Sequence, residues 1–581
     1  MSSLSDLDLL GGQQSAVEDV TTASSGGASG PRHRRSGGWF ANGRLSVAVT
    51  LGFFVLFAAG ALVRVHQIGK PITYDSGNYE YYSGYGLLHG FGSAIALPGQ
   101  LENYLDAQLN VIYYVMISHL SPRWFVSTLA VLQSLPVTLL AVFVYFVGRS
   151  VTGSKVAPVF AGLVAGAAAF FAPLHVAETG ETSSDVLLGS LLFAGAALLY
   201  QIVMATGAGR APYLRAAMAG VLLGLAGELK ATEGAFSASI FIGFCVALLL
   251  ARRRTGWPFR RCLMLGVAVA LPAAVVAAAL YLPEAILLWD RYRDPFFPFL
   301  NGIFKSPYLL HGSFDPGYAA QTAGSLWRHF TRLLVGGQRG KNSNGLYLAP
   351  LRSTALFFAL PIVAVMLVVD LVKRDKPEAV FLEISFLAGF LLWAALFGFY
   401  RYLAPLEMAA GAVVIMLVFI HHLYRPVVLL VIAAALALAV PFSIYAGIGA
   451  RESFGTSSYF GVSAGEFHSL SGEGVVFAGD GPLAFLVPDL PANIELVHAG
   501  GGSLTEVMSA AWWARVRAVV QQNPRSRWVM FYGGSHEHLT GELRLIGFPG
   551  GYSSCHDLAT AEDGVLPIHE CQVTLAPAGS G

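Results

Sequence analysis

The sequence predicts an all-α polytopic membrane protein of about eleven transmembrane helices, followed by a small C-terminal extracytoplasmic α/β domain. Three observations carry this. Apolar runs of about 20 residues recur between residues 45 and 447, each able to cross about 30 Å of hydrocarbon. Charged residues make up only 12% of the 581-residue chain and hydrophobic residues 55%, with a mean hydropathy of +0.59. Ordinary soluble domains carry about 25% charge. After Arg451 the long apolar runs give way to short strand-like segments alternating with helix-like ones. A net charge of +1, with no basic groove or stripe, points to no nucleic-acid partner.

Residues 1–43 are mostly Gly, Ser, Ala and polar, ending in PRHRRSGG, and predict a disordered cytoplasmic tail. The apolar run starts only after Arg44 and no cleavage-type ending follows it, which argues against a cleaved signal peptide. Arg32, Arg34, Arg35 and Arg44 place the tail inside by the positive-inside rule. The transmembrane domain, 44–450, holds apolar runs over roughly 45–65, 124–147, 156–173, 185–205, 214–229, 234–251, 262–283, 347–372, 379–399, 404–423 and 426–447. Arg149, Lys155, Arg210, Arg215, Arg252–Arg254, Arg260, Arg261, Lys373, Arg374, Lys376 and Arg425 all fall on connections that this count puts inside. The opposite connections hold Asp75, Glu80, Glu178, Glu181, Asp185, Glu284 and Asp290. An odd number of spans starting inside leaves the C-terminus outside. The apolar segment Val111–Leu120 is too short to cross, and with Leu101–Asn110 it predicts an interfacial helix.

The last region, 451–581, contains GEGVVFAGDGPLAFLVPD, ANIELVHAG, a helix-like stretch over Trp512–Gln522 and SRWVMFYGG, which together predict an α/β domain. Gly479, Asp480 and Gly481 form a turn after a strand, at the wrong spacing for a nucleotide fingerprint. Cys245 and Cys262 lie in or beside spans, as inert packing thiols. Cys555 and Cys571 both lie in the external domain, where an oxidising compartment permits a disulfide. No Cys/His cluster has metal-type spacing, and His421 and His422 are expected at a membrane interface.

The candidate chemistry starts at PITYDSGNYEYYSGYGLLHG, residues 71–90, where Asp75 and Glu80 lie among tyrosines just after the first span. One reading is an aromatic belt with solvated acids. The other gives a carboxylate the proton of an acceptor hydroxyl and gives the faces of Tyr79, Tyr82 and, further along, Tyr402 a sugar or lipid to hold. Glu178, Glu181 and Asp185 form a second acidic set, and offsets of three and seven predict one helical face. Lys230, in GELKATEG, breaks the charge asymmetry of the outer connections. It pairs with Glu228 or Glu233, or meets the phosphate of a lipid head group. Arg401 is flanked by Tyr400 and Tyr402, and WDRYRDPFFPFLNGIFKSPYLLHGSFD adds Arg291, Arg293 and Lys305. Acids for a hydroxyl and cations for a phosphate on one side suggest group transfer from a lipid phosphate.

At these residues the chain resembles the GT-C class of integral-membrane glycosyltransferases, in the bacterial branch related to protein mannosyltransferases and aminoarabinose transferases. The motifs that carry the resemblance are Asp75 in the first external loop, the acidic second loop, LKATEG, DPFFPFLNGIFKSPY and RYLAPLE, all within about 45–450. The resemblance implies a sugar donor on a polyprenyl phosphate and transfer, with inversion, on the non-cytoplasmic face. It implies Asp75 as general base and Lys230, Lys305 and Arg401 as ligands of the donor phosphate. Some relatives use a divalent cation and others none; here Asp75 with Glu178 or Glu181 could hold one. The usual pair of adjacent acids is missing from the first loop, which leaves Glu80 as base, partner or bystander. The acceptor is a glycan, a lipid or a protein. An Ala/Gly-rich composition without eukaryotic sorting signals leans to a bacterial inner membrane. The competing classes are a lipid-linked glycan ligase or polymerase, a transporter, and a non-catalytic scaffold. A transporter calls for polar residues midway through spans or an internal repeat.

Overall fold

The computed structural model describes residues 43–71, 73–90, 107–205, 210–310, 354–397 and 400–434, and the segments named below between 451 and 573. The expected tail, Leu101–Asp106 and the Gly479–Gly481 turn lie outside these residues. In chain order the elements begin with α1 (Gly43–Ile68), β1 (Lys70–Pro71), a π-helical turn (Ser76–Glu80) and α2 (Tyr81–His89). Next come α3 (Ala107–His119), α4 (Pro122–Val151), α5 (Val156–Phe170), α6 (Pro173–Glu178), α7 (Ser184–Met204) and α8 (Ala211–Leu229). Then follow α9 (Ala231–Thr255), α10 (Phe259–Tyr292), α11 (Asn301–Phe304), α12 (Thr354–Lys373) and α13 (Pro377–Leu396). A 3-10 turn (Tyr400–Leu403) leads into α14 (Ala404–Ile420).

Each of the eleven expected spans is helical over most of its described residues. Eight helices among those residues are long and apolar enough to cross a membrane. The remaining three are α5, which has 15 residues, α8, and the last segment, of which only 426–434 is described. α3 has 13 residues, too few to span, and packs on α2 as an interfacial helix would. Exposed Leu263, Leu271, Val275, Leu282 and Ile286 make one whole side of α10 apolar, the surface expected against acyl chains. α14, by contrast, is enclosed by its neighbours, and only Ala409 and Val414 within it are not buried.

Beyond the bundle, β2 (Arg451–Glu452) runs antiparallel to β1, with Lys70 opposite Glu452 and Pro71 opposite Arg451. Gly69 makes this pairing possible. Its φ is +86°, and a Cβ there would stand 2.0 Å from the Glu452 carbonyl oxygen. The buried Lys70 ammonium pairs with Glu452 at 3.1 Å and donates to the Tyr459 carbonyl, while the Tyr459 hydroxyl donates to the Pro71 carbonyl at 2.9 Å. The first loop is thus tied to the chain that follows the last span.

A five-stranded sheet then forms in the order β4–β3–β5–β7–β6 from β3 (Gly474–Ala478), β4 (Glu495–His498), β5 (Ser526–Tyr532), β6 (Tyr552–Leu558) and β7 (Ile568–Val573). β4, β3 and β5 are parallel, while β7 and β6 are antiparallel. Helices α15 (Ala510–Gln522) and α16 (His536–Ile546) complete an α/β arrangement. Cys555 and Cys571 are joined by a disulfide between β6 and β7. This region does not stand apart, because residues 42–581 form one compact unit. Phe460 stacks on Phe485 at 4.6 Å and meets Tyr81 of α2 at 5.1 Å, and Trp512 of α15 packs on Tyr292, Phe297 and Tyr308. Aromatic burial of this size dominates such interfaces.

Candidate active site

One end of the bundle gathers the ends of several elements. These are the π-helical turn after β1, the α6–α7 connection, the α8–α9 connection and the 3-10 turn before α14. Short connections of this kind place residues far apart in sequence side by side, and here they gather the charged ones.

Asp75 precedes the π-helical turn and is buried. Its carboxylate pairs with the Arg401 guanidinium on the 3-10 turn. Asp185, fully buried in the first turn of α7, accepts from the Lys230 ammonium at 2.6 Å. Both cations lie against one ring: Lys230 Nζ and Arg401 Cζ are each 5.4 Å from the Tyr402 ring centroid. Burial by itself would lower the Lys230 pKa, but the Asp185 carboxylate offsets this and holds it above its ordinary range. The expected pairing of Lys230 with Glu228 or Glu233 is therefore replaced by one with Asp185. Glu233 is buried with neither carboxylate oxygen hydrogen-bonded.

The other acids differ. Glu80 is buried with one oxygen lacking a hydrogen-bond partner. Burial first, then the Asp75 charge, push its pKa up to about 8, against an opposing pull from the Thr182 hydroxyl. Glu178 is buried with both oxygens lacking partners, and burial followed by the Asp185 charge raises its pKa well above the usual carboxylate range. Tyr79 lies where the charges of Asp75, Glu80, Arg401 and Tyr402 all act on it.

The second acidic set does not share a helical face. α6 stops at Glu178, Gly180 turns the chain at φ +81°, and α7 starts only at Ser184. Glu181 sits in the turn between them and pairs with Arg451 at 3.1 Å. Offsets of three and seven imply one face only if the helix is continuous. Gln133 of α4 holds this turn, accepting from the Gly180 amide at 2.7 Å and donating to the Glu181 carbonyl at 2.9 Å. Arg64 and Arg451 donate to the carbonyls of Val176 and Ala177, at the end of α6. These cations complement a helix C-terminus.

Two other expected residues join neither aspartate–cation pair. Lys305 is exposed at the end of α11, and no ion pair joins it to the cluster among the described residues. The sequence placed it near the donor phosphate only by motif order. Tyr82 is buried against Tyr85 and in the field of Tyr292 and Arg291. The expected metal ligands are held differently from one another. Asp75 is engaged by Arg401 and Glu181 by Arg451, so a cation there would displace an arginine from each, and Glu178 alone is left with an open carboxylate.

Sequence reasoning missed the residues that hold these groups in place. Glu407 of α14 accepts from the Leu174 amide and the Tyr400 hydroxyl, both at 2.8 Å, and so joins α6 to the turn that carries Arg401. Only the final residue of RYLAPLE hinted at this. Gln133 and Arg451 carry no local sequence signal at all.

No protein-family model matches the sequence, and no curated protein matches it. The fold does have solved counterparts. The crystal structure of ArnT from Cupriavidus metallidurans bound to undecaprenyl phosphate matches with a TM-score of 0.50 at 14% identity, covering 92% of this chain and 98% of that one. The fold is similar to that of ArnT. ArnT in the apo state matches at a TM-score of 0.45 and 14% identity, covering 90% of this chain and 98% of that chain. Arabinofuranosyltransferase AftD from Mycobacteria matches at 0.43 and 13%, covering 90% of this chain and 40% of that one. The ArnT match is a likeness of fold that takes in 92% of this chain.

Proposed function

We propose that the protein transfers a sugar from a polyprenyl-phosphate donor to an acceptor hydroxyl, inverting the anomeric carbon. The observation that carries this reading is the pair of buried aspartate–cation bridges, Asp75–Arg401 and Asp185–Lys230, whose cations both lie against the Tyr402 ring. Undecaprenyl phosphate bound by ArnT supports a polyprenyl phosphate as carrier within this fold.

A phosphodiester entering this end of the bundle would compete with Asp75 and Asp185 for Arg401 and Lys230, since both cations are good phosphate partners. Once Arg401 turns to phosphate, the Asp75 carboxylate is released as general base. The acceptor oxygen attacks the anomeric carbon, its proton passes to Asp75, and the carbon–oxygen bond to phosphate breaks with its electron pair leaving on the phosphate oxygen. The second negative charge of the released polyprenyl phosphate develops beside Arg401 and Lys230, where preformed positive charge contributes most. Glu80, uncharged near neutrality, would donate a hydrogen bond to the donor and serve as a partner to the base. Tyr79 and Tyr402 would line the sugar path.

Orientation follows from charge. Arg149, Lys155, Arg210, Arg252, Lys373 and Lys376 lie at connections between helices at the end away from Asp75, so that end and the N-terminus would be cytoplasmic, with the site and C-terminus outside. The inner membrane of a bacterium is the setting that supplies such a donor. The acceptor, whether glycan, lipid or protein, approaches from the outer side.

The test is release of polyprenyl phosphate by purified protein offered a panel of polyprenyl-phosphate sugars with membrane acceptors. Wild type should turn over one donor and D75N should lose between ~10²- and ~10⁴-fold. Equal turnover by the two would remove Asp75 as base. Turnover of no donor, with no donor binding, would favour a transporter or scaffold.

A further inference from the structure

At the opposite end of α14 a second polar cluster has formed, one that the transfer reaction does not use. Arg401 stands just before α14 and His421 just after it, about 25 Å apart by helical rise. His421 Nε2 lies 2.9 Å from Asp370 Oδ2, near the end of α12. Glu383, in the second turn of α13, faces the same point. One donor atom from each of the three residues lies within 4.8 Å of the other two. Asp370 and Glu383 are fully buried, and His421 is half-buried, which leaves an approach from the bundle end.

The carboxylates are not satisfied by protein. Neither oxygen of Glu383 and only one of Asp370 is reached by an N–H or O–H donor, and the two buried carboxyls lie against each other. An unpartnered buried carboxylate costs several kcal/mol unless a proton or cation joins it. Lys376 bonds the far side of the ring: its ammonium lies 3.0 Å from His421 Nδ1 and 3.2 Å from the Ile420 carbonyl.

We propose that Asp370, Glu383 and His421 form a divalent-cation site that ties α12, α13 and α14 together. One imidazole nitrogen and two carboxylates suit a borderline cation such as Zn²⁺ or Mn²⁺, with water completing the shell. For Nε2 to coordinate, the ring proton moves to Nδ1 while Lys376 keeps the Ile420 carbonyl; no proton leaves the imidazole. The lone pair at Nε2, one oxygen of Asp370 and one of Glu383 are then available to the ion. The site would fix the end of α14 opposite Arg401, a structural role separate from the transfer chemistry.

The experiment uses the tag-free full-length protein in detergent, stripped with chelator, exposed to Zn²⁺ or Mn²⁺ alone, dialysed and assayed for bound metal. One equivalent per chain is expected in wild type, with a thermal shift of at least ~3 °C at saturating metal. E383Q and H421A should each lose both the metal and the shift while eluting as monodisperse protein. D370N serves as the third variant should either of these fail to fold. Stoichiometric metal retained by the three variants would overturn the proposal. So would wild type that binds none, with E383Q more stable than wild type, because the two carboxylates would then be sharing a proton instead.

Discussion

Two kinds of buried acid meet at the same end of the bundle. Asp75 and Asp185 each hold a cation within bonding distance, whereas Glu80 and Glu178 have carboxylate oxygens with no partner. Their surroundings are equally dry, so the difference lies in charge. The two cations are matched by the two aspartates, and the glutamates are pushed above the usual carboxylate range by burial first and then by the neighbouring aspartate charge, which the more distant cations only partly offset. The resting site is thus close to neutral. An incoming phosphate gains its cations only by opening an existing pair, and opening Asp75–Arg401 is what would uncover the base.

Removing a cation breaks the comparison most strongly. Arg401→Ala should reduce polyprenyl-phosphate release by ~10²- to 10³-fold, the range for loss of a donor to developing charge. It should also lower stability by about 3–5 kcal/mol, since Asp75 is then left buried alone. A kinetic assay combined with a denaturation series reads both. Lys230→Ala should act mainly on donor KM, by roughly tenfold or more, whereas Lys305→Ala, at an exposed position, should stay within about twofold. A Lys305→Ala loss matching that of Lys230→Ala would mean that the α11 segment reaches the donor.

Neutralising an unpaired acid sharpens the contrast from the other side. Glu80→Gln should retain turnover within about fivefold near pH 7, because the wild-type group is already mostly protonated there. Its stability effect has a definite sign. The folded pKa of about 8 exceeds the ordinary value of 4.5, so the unfolded chain loses its proton first as pH rises. Wild-type stability should fall between about pH 4.5 and pH 8 and level off above that. Glu80→Gln should remove this fall, with a gain of at most a few kcal/mol by pH 8. Thermal denaturation of both proteins across that range, in one detergent, is the check. A Glu80→Gln protein less stable at pH 8 than at pH 5 by the wild-type margin would assign the fall to another group.

Much of the architecture was legible because the membrane constrains it. Apolar runs longer than about 18 residues have few alternatives, and basic connections mark one end of the bundle. The strands around Val475, Val497 and Val529 were equally readable from their apolar runs between turn residues. The site was legible as a set of residue types. Asp75, Lys230 and Arg401 stood out as charges beside spans, but their pairing did not, because Asp75 meets Arg401 across 326 residues of chain. Helical spacing failed at Glu178, Glu181 and Asp185 because Gly180 breaks the helix within the set. Lys305 joins neither aspartate pair, and order along the chain does not decide which way a loop residue faces. Asp370, Glu383 and His421 were invisible as a cluster for the same reason as the pair: three helices bring them together, with no local spacing to read.

The central claim is that Arg401 is shared between Asp75 and the donor phosphate. Equilibrium binding of undecaprenyl phosphate to purified wild-type protein and to Asp75→Asn tests it most directly. If the aspartate competes for the arginine, the variant should bind the lipid phosphate about tenfold tighter or more, while losing turnover. Unchanged or weaker binding by the variant would contradict the account, and would mean that the Asp75–Arg401 pair holds the loop in place without gating the phosphate.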